Sequence, residues 1–329
     1  MKSQSAKIAL PHPAVITFPK PCGNARGVAI WISLLVVLLL AVLIFELDFQ
    51  TRVDLRAAEH FRDDVRALHL VRSAVAAGQA FLQYDQTESG QFDALTELWA
   101  KPMVDYPLGD GTLSAQLYDE TAKFNLNSLV KNDGTEALGK RKQLVHLLRL
   151  LDVPQRETEP LVKSIVNWID PPDEGENGAY QRRDPPSLPK NARLDTLEEI
   201  RLIDGMTDAI YRSVAPYLTI YGDTGADGPT GKININTADP LVLRSLDQRI
   251  DDDDAMVARL QQNRPYLSPG AIQATLGNIE IFNAIRGSVT VRSNTFSMEV
   301  IGRVHDVRKV ARAVVRRRNN AGLLYFRVE

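Results

Sequence analysis

The chain has 329 residues, 44% of them hydrophobic and 24% charged, with a formal net charge of -2. That composition suits a globular protein long enough for two domains and carries no overall charge bias toward nucleic acid or a membrane surface. The single cysteine, Cys22, excludes an internal disulfide framework, and no tandem repeat of roughly 20–50 residues stands out.

Residues 27–45 form an apolar run in which Ser33 is the one clearly polar side chain. About 20 such residues, rising 1.5 Å each, match a hydrocarbon layer of ~30 Å. Lys2, Lys7, Lys20 and Arg26 precede the run, and no Asp or Glu occurs before Glu46. The positive-inside rule therefore puts the N-terminus in the cytoplasm and the bulk of the chain across the membrane. Three readings follow: a cleaved secretory signal, a retained single-span anchor, or an assembly helix. The run ends in "LIFELDF" without a small-x-small cleavage site, which weighs against the first.

No Pro or Gly occurs from Val28 to Ala77, and Val53, Ala57, Phe61, Val65, Leu68, Val71, Val75 and Leu82 recur at helical spacing. One helix from Val28 to about Tyr84 would be roughly 85 Å long, apolar all round in its first half and amphipathic in its second. A lone anchor has no use for that second half. A rod that docks on a head domain, or bundles with copies of itself, does.

A loop is expected over 87–110. "GTLSAQLYDETAKFNLNSL" (111–129) then opens with Leu113, Ala115 and Leu117 alternating with polar residues, a strand that could form a hairpin with "KFNLN". At the other end, residues 295–329 read as two or three strands, with "NNAG" (319–322) as a hairpin turn. Strands at both ends of a long helical stretch predict one sheet interrupted by an insertion. The expected division is a basic leader (1–27), a long helix (28–86, with 28–45 transmembrane), a first α/β part (87–129), a helical insert (130–286) and completing strands (287–329). The fold class is α+β.

Within the insert, "RLDTLEEIRLIDGMTDAIYRSV" begins with a capping box expected at Asp195 and Glu198, then turns at Gly205. "KININTADPLVLRSLDQRIDDDDAMVARL" has a similar outline. Both resemble helix-hairpin-helix modules, which grip DNA phosphates, so a membrane-anchored DNA-binding or uptake protein is the rival function. Phosphate grip needs backbone amides at a helix start with Lys or Arg nearby. Here Asp251 to Asp254 stand at that place, and residues 191–290 carry 9 Lys and Arg against 14 Asp and Glu. The pattern suits helix starts capped from within the chain, and no nucleic acid is expected.

The loop "NWIDPPDEGENGAYQRRDPP" gathers Asp170, Asp173, Glu174, Glu176 and Asp184, hard oxygen ligands of the kind Ca²⁺ takes. The spacing is not that of an EF-hand, and a solvated acidic loop offset by Arg182 and Arg183 is the competing reading. Of the histidines, His12 lies in the leader, while His60 and His69 fall on the long helix at expected surface positions. His146 and His305 complete the set. No nucleophile, zinc or nucleotide motif is present, and "GDTGADGPTGK" lacks the Ser or Thr of a phosphate loop. The chain reads as a non-enzyme. "RRR" at 316–318 reads as a solvated strand end or hairpin flank.

A short basic leader ending in Gly, then an apolar helix running into an amphipathic one, resembles the type IV pilin and pseudopilin class. "ARGVAIWISLL", Lys123–Asn127, Val166–Glu174, Leu197–Thr219 and Lys232–Ala238, in that order, resemble the K pseudopilins of type II secretion systems, over most of the chain. The resemblance implies prepilin-peptidase cleavage between Gly27 and Val28, with N-methylation of the new terminus and loss of Cys22. It implies an assembly helix in which Val28, Ile32 and Leu35 take part. Ile32 stands where most of the class has Glu, a carboxylate that pairs with a neighbouring subunit's amino group. The implied role is a tip or initiator subunit of a periplasmic pseudopilus, anchored in the inner membrane. Its implied partners are minor pseudopilins of the I, J and H types, the inner-membrane assembly platform and membrane lipid. The resemblance also implies calcium in the insert, with Asp170, Asp173 and Glu174 as the candidate ligands.

Overall fold

The computed structural model describes residues 25–88, 90–171, 180, 188–317 and 322–329. Helix α1 (Ala25–Glu88) is continuous, as expected from the absence of helix breakers up to Gly78. Two units divide the chain, residues 1–61 and 62–329. In the first, apolar side chains face outward all round: Ile32, Leu35 and Phe45 are among the exposed large hydrophobics. In the second, the amphipathic stripe is put to use, and Ala67, Val71, Val75 and Leu82 are buried.

After α1 the chain forms a single 3₁₀ turn (Leu98–Ala100), then β1 (Met103–Leu108) and β2 (Gly111–Asp119). The expected loop over 87–110 thus contains a strand. Its alternation is hidden because every β1 residue is exposed, and Asp105, with φ +47°, breaks the register between Met103 and Tyr106.

The insert begins at β3 (Phe124–Asn125), which pairs in parallel with β4 (Leu218–Thr219). The hairpin expected between "KFNLN" and the preceding strand is therefore not formed. Phe124 is fully buried and belongs to the core of the insert. Between β3 and β4 lie α2 (Leu138–Leu150), α3 (Gln155–Ile169), a 3₁₀ helix (Leu197–Leu202) and the helix Asp208–Val214. The capping box sits one residue later than expected. Glu199 accepts from the amides of Thr196 (3.0 Å) and Asp195 (2.9 Å), so Thr196 is the cap. A small ribbon, β5 (Thr224–Gly225) and β6 (Gly228–Pro229), leads to β7 (Ile233–Asn234). Short helices follow, and β8 (Val289–Thr290) closes the insert in parallel with β7.

The two parallel pairs are built alike. In each, the first Asn of an Asn-x-Asn stretch accepts from the amide two residues on: Asn125 from Asn127 and Asn234 from Asn236, both at 3.0 Å. The second Asn clamps a distant backbone from both sides. Asn127 accepts from the Leu194 amide (2.8 Å) and donates to its carbonyl (3.0 Å). Asn236 does the same with Tyr266 (2.7 and 3.0 Å). A buried amide side chain satisfies buried backbone groups in this way at no unpaired cost. The insert is a doubled device on one core that runs from Phe124 to Val291.

The chain then returns through β9 (Thr295–Val304), β10 (Val307–Arg316) and β11 (Leu323–Val328). Together with β1 and β2 these make one antiparallel sheet in the order β1-β2-β9-β10-β11. β2 pairs directly with β9, Asp119 opposite Phe296, so the sheet is continuous across the insertion. The turn expected at 319–322 has its first three residues outside the described ones. One sheet face, with Leu113, Phe296, Met298, Val300, Ala311, Ala313 and Val315, shares a core with Val71, Val75 and Leu82 of α1. Gly302 on β9 lets the helix approach: a Cβ there would lie 2.8 Å from Val71 Cγ1.

Candidate functional site

The first candidate site is the start of α1. Its basis is a stretch of mean hydropathy 3.2, long enough to cross a membrane. Gly27 has nothing within 4 Å of where a side chain would stand. Val28 (59% exposed), Ile32 (56%) and Leu35 (56%) present apolar side chains outward. Such a surface is unstable in water and demands lipid or other helices. Cys22 and His12 lie outside the described residues. His60 and His69 are exposed.

The second is the joint between insert and sheet. At the end of β2, Asp119 is buried and accepts from Thr237 (2.5 Å), Ser293 (2.6 Å), the Thr121 amide (2.7 Å) and Asn234 (3.1 Å). Its neighbour Glu120 accepts from Thr219 (2.5 Å), Lys123 (2.6 Å) and Ser297 (2.7 Å). These two carboxylates thereby tie β2 to β4, to Asn234 of β7, to the exit segment after β8 and to β9. Asp93 accepts from the Ser293 amide (2.7 Å) and from Arg317 (2.6 Å), which also reaches Asp85 at 3.2 Å. Arg317 is buried and lies over the Phe296 ring. The basic run at 316–318 is therefore not a solvated strand end at Arg317. The residue just past β10 meets the end of α1 and the 92–99 segment, where two carboxylates await a cation. Burial pushes the Asp93 carboxyl up to about 6, against the pull of Arg317 and the Ser293 amide. Burial likewise raises that of Asp119, against four hydrogen bonds.

The metal candidates are separated by what the structure describes. Asp170 caps the end of α3, while Asp173, Glu174, Glu176 and Asp184 lie outside the described residues. Among the described residues, Asp85, Asp93 and Glu97 form an acidic group with ligand atoms within 4.8 Å of one another. Arg317 already neutralises it, and Glu97 is taken up by the Ala94 amide and the Trp99 indole.

The helix starts of the second module are filled from within. Asp239, Asp247 and Asp253 accept from the amides of Leu241, Arg249 and Met256. Asp251 and Asp254 hold Arg244, and Asp251 also meets His146 at 2.9 Å. The acidic run thus caps helices as its composition suggests, and it leaves no amide cradle for a nucleic-acid phosphate there. His305, in a left-handed turn, and Arg62 reach Asp63. Burial works against them, but their hydrogen bonds hold the Asp63 carboxyl below the usual range.

Residues 122–223 match the family model described as type II secretion system (T2SS), protein K. The type II secretion system protein K of Aeromonas hydrophila is 25% identical over 93% of this chain and 97% of its own length. That of Pseudomonas aeruginosa is 27% identical, over 67% of this chain and 68% of its own. The putative one of Escherichia coli K12 is 29% identical, over 73% and 75%. In fold, the chain is similar to one solved in the GspK-GspI-GspJ complex of the enterotoxigenic Escherichia coli type 2 secretion system. The TM-score is 0.68 at 22% identity, over 83% of this chain and 98% of that one. Fold, motif order and similarity along nearly the whole chain agree, and they make this chain a relative of the type II secretion system K proteins, which serve as minor pseudopilins.

Proposed function

We propose that this minor pseudopilin is the tip subunit of a periplasmic pseudopilus and that it starts and caps assembly. The observation that carries the reading is Ile32, an outward-facing apolar side chain four residues after Val28 on an exposed helix. A subunit repeated along a filament needs a carboxylate there to neutralise its neighbour's amino terminus inside lipid. A subunit at the end of the stack has no neighbour to neutralise. The insert of residues 124–291 supports the same reading, since a bulky head fits the end of a thin filament and not its length. I- and J-type subunits are the expected neighbours, and the GspK neighbour in fold was solved with GspI and GspJ. The basic residues before the span put the leader in the cytoplasm and the head in the periplasm. Prepilin peptidase then cuts between Gly27 and Val28.

Co-expression with prepilin peptidase and mass measurement of the N-terminus tests this. A chain beginning at methylated Val28 is expected, and an intact Met1 in a cell with working secretion overturns it. Calcium is proposed for the loop of Asp170, Asp173 and Glu174. Calcium-dependent thermal stabilisation should be lost when Asp173 and Glu174 are changed to Asn and Gln.

A further inference from the structure

The five-stranded sheet packs one face on α1. Along β9, Met298 and Val300 belong to that shared core, and a Cβ on Gly302 would meet Val71. Side chains alternate along a strand, so Ser297, Glu299, Ile301 and Arg303 point to the opposite face. Their partners on β10 are Val314, Arg312, Val310 and Arg308.

Charge is laid out unevenly on this second face. Arg312 reaches Glu299 (3.3 Å) and Glu329 (3.9 Å), and Glu329 also holds Arg327 (3.0 Å). Arg303 and Arg308 have no such match. They stand directly opposite each other, both exposed, and neither makes an ion pair or side-chain hydrogen bond among the described residues. Opposed side chains on an antiparallel pair sit about 5 Å apart at Cβ, and like charges there repel. The pair works against the ladder that carries it.

Six residues back along β9, one row across four strands reads Tyr118, Ser297, Val314, Tyr325. This row floors a groove of about 270 Å³, walled by Leu197, Glu198 and Tyr221 of the insert. Glu198 is exposed and has no cation within 4 Å among the described residues. The face thus has an aromatic, negative end and a positive end, about 20 Å apart at the rise of a strand.

We propose that this face docks an extended segment of a partner protein, with an aromatic side chain in the tyrosine groove and a pair of carboxylates on Arg303 and Arg308. The guanidinium fork matches a planar carboxylate with two parallel hydrogen bonds. Glu198 repels carboxylates from the groove, so the two ends of the segment cannot exchange places. Tyrosine and arginine are the side chains that dominate the energy of protein interfaces. A lipid headgroup would answer the arginines and leave the groove empty.

The test uses the full chain in dodecyl maltoside and fluorescein-labelled peptides followed by anisotropy. The probe is a heptapeptide with phenylalanine at one end, two glutamates at the other and serine and threonine between. Saturable binding is expected. It should weaken at least about tenfold with glutamines in place of the glutamates, with three spacer residues removed, and in the R303Q/R308Q variant. That variant should be at least as heat-stable as the parent, since a repulsion is relieved. Lower thermal stability would make the two arginines structural and overturn the proposal. So would absence of saturable binding, unaltered binding by R303Q/R308Q, or equal binding of the glutamine or the shortened peptide. Displacement of the probe by dihexanoyl phosphatidylglycerol at lower concentration than by the unlabelled heptapeptide would also overturn it, in favour of lipid.

Discussion

Replacing Gly302 with alanine tests the packing of helix on sheet. The added methyl would lie 2.8 Å from Val71 Cγ1, 3.3 Å from Leu70 Cδ2 and 3.4 Å from the Ala67 carbonyl oxygen. Val71 is fully buried in the shared core and has no soft end to swing aside. Overpacking of this kind costs about 1–3 kcal/mol. Alanine's smaller unfolded-state entropy returns only about 0.4–1 kcal/mol. The net expectation is a loss of about 1–2 kcal/mol, or a Tm lower by roughly 2–8 °C for a unit of this size. Val71→Ala alone leaves a cavity and should also destabilise. In the double variant the shortened side chain at position 71 makes room for the new methyl, so the two losses should fall short of their sum by about 1 kcal/mol. Urea titration of the four proteins in dodecyl maltoside, followed by near-ultraviolet circular dichroism, reads this directly, since Trp99 shares the core and packs edge-on against Phe296. Losses that add to within about 0.3 kcal/mol would refute the close-approach argument.

Asn127→Ala and Asn236→Ala should each cost about 1–3 kcal/mol, because buried backbone groups of Leu194 and Tyr266 lose their partner. Hydrogen exchange at those two amides should accelerate selectively, each in its own variant. Asp93 binds its proton more tightly folded than unfolded, so its contribution is present at low pH and lost as pH rises from about 4 through about 6. Stability measured from pH 4 to 8 should therefore lose part of its downward slope in Asp93→Asn, and an unchanged slope would refute the assignment. Arg317→Met should be strongly destabilising at pH 7.5, where the buried Asp93 carboxylate loses its cation, and less so at pH 5. Ile32→Glu, which places a carboxylate on this apolar face, should leave folding and processing intact. It should lower secreted activity in a complementation assay if the tip position excludes a neighbour's amine.

The elements that sequence reveals here are those whose physics is local. An unbroken run from Val28 to Ala77 can only be a helix, and the alternation at Leu113, Ala115 and Leu117 marks one buried face. The pairing of chain ends can be inferred because strands without a local partner must find each other. β1 is hidden for the opposite reason: Val104, Tyr106 and Leu108 are exposed, so no burial pattern shaped them. The parallel pairing of Phe124 with Leu218 joins residues with a whole helical module between them, a partnership no periodicity encodes. Arg317 reads as solvated in sequence because its two carboxylates come from α1 and from the segment after it, far back in the chain. The Asn-x-Asn clamps do leave a trace, in "FNLN" and "ININ", but an Asx turn alone does not say which distant backbone it will hold. The joint at Asp119, Asp93 and Ser293 is likewise a tertiary product.

The register of β2 against β9 has an evolutionary corollary. The chain departs from the sheet after Asp119 and re-enters at Thr295, directly across one strand spacing. Excising everything between would leave two adjacent strands that a tight turn could join. The ancestral form can thus have been a plain hairpin, with the helical module acquired as a cassette at no disturbance to the hydrogen-bonded ladder. The same door stands open to engineering: a compact domain with closely spaced termini could be exchanged into that gap, provided it brings hydroxyls to quench the carboxylate at the threshold.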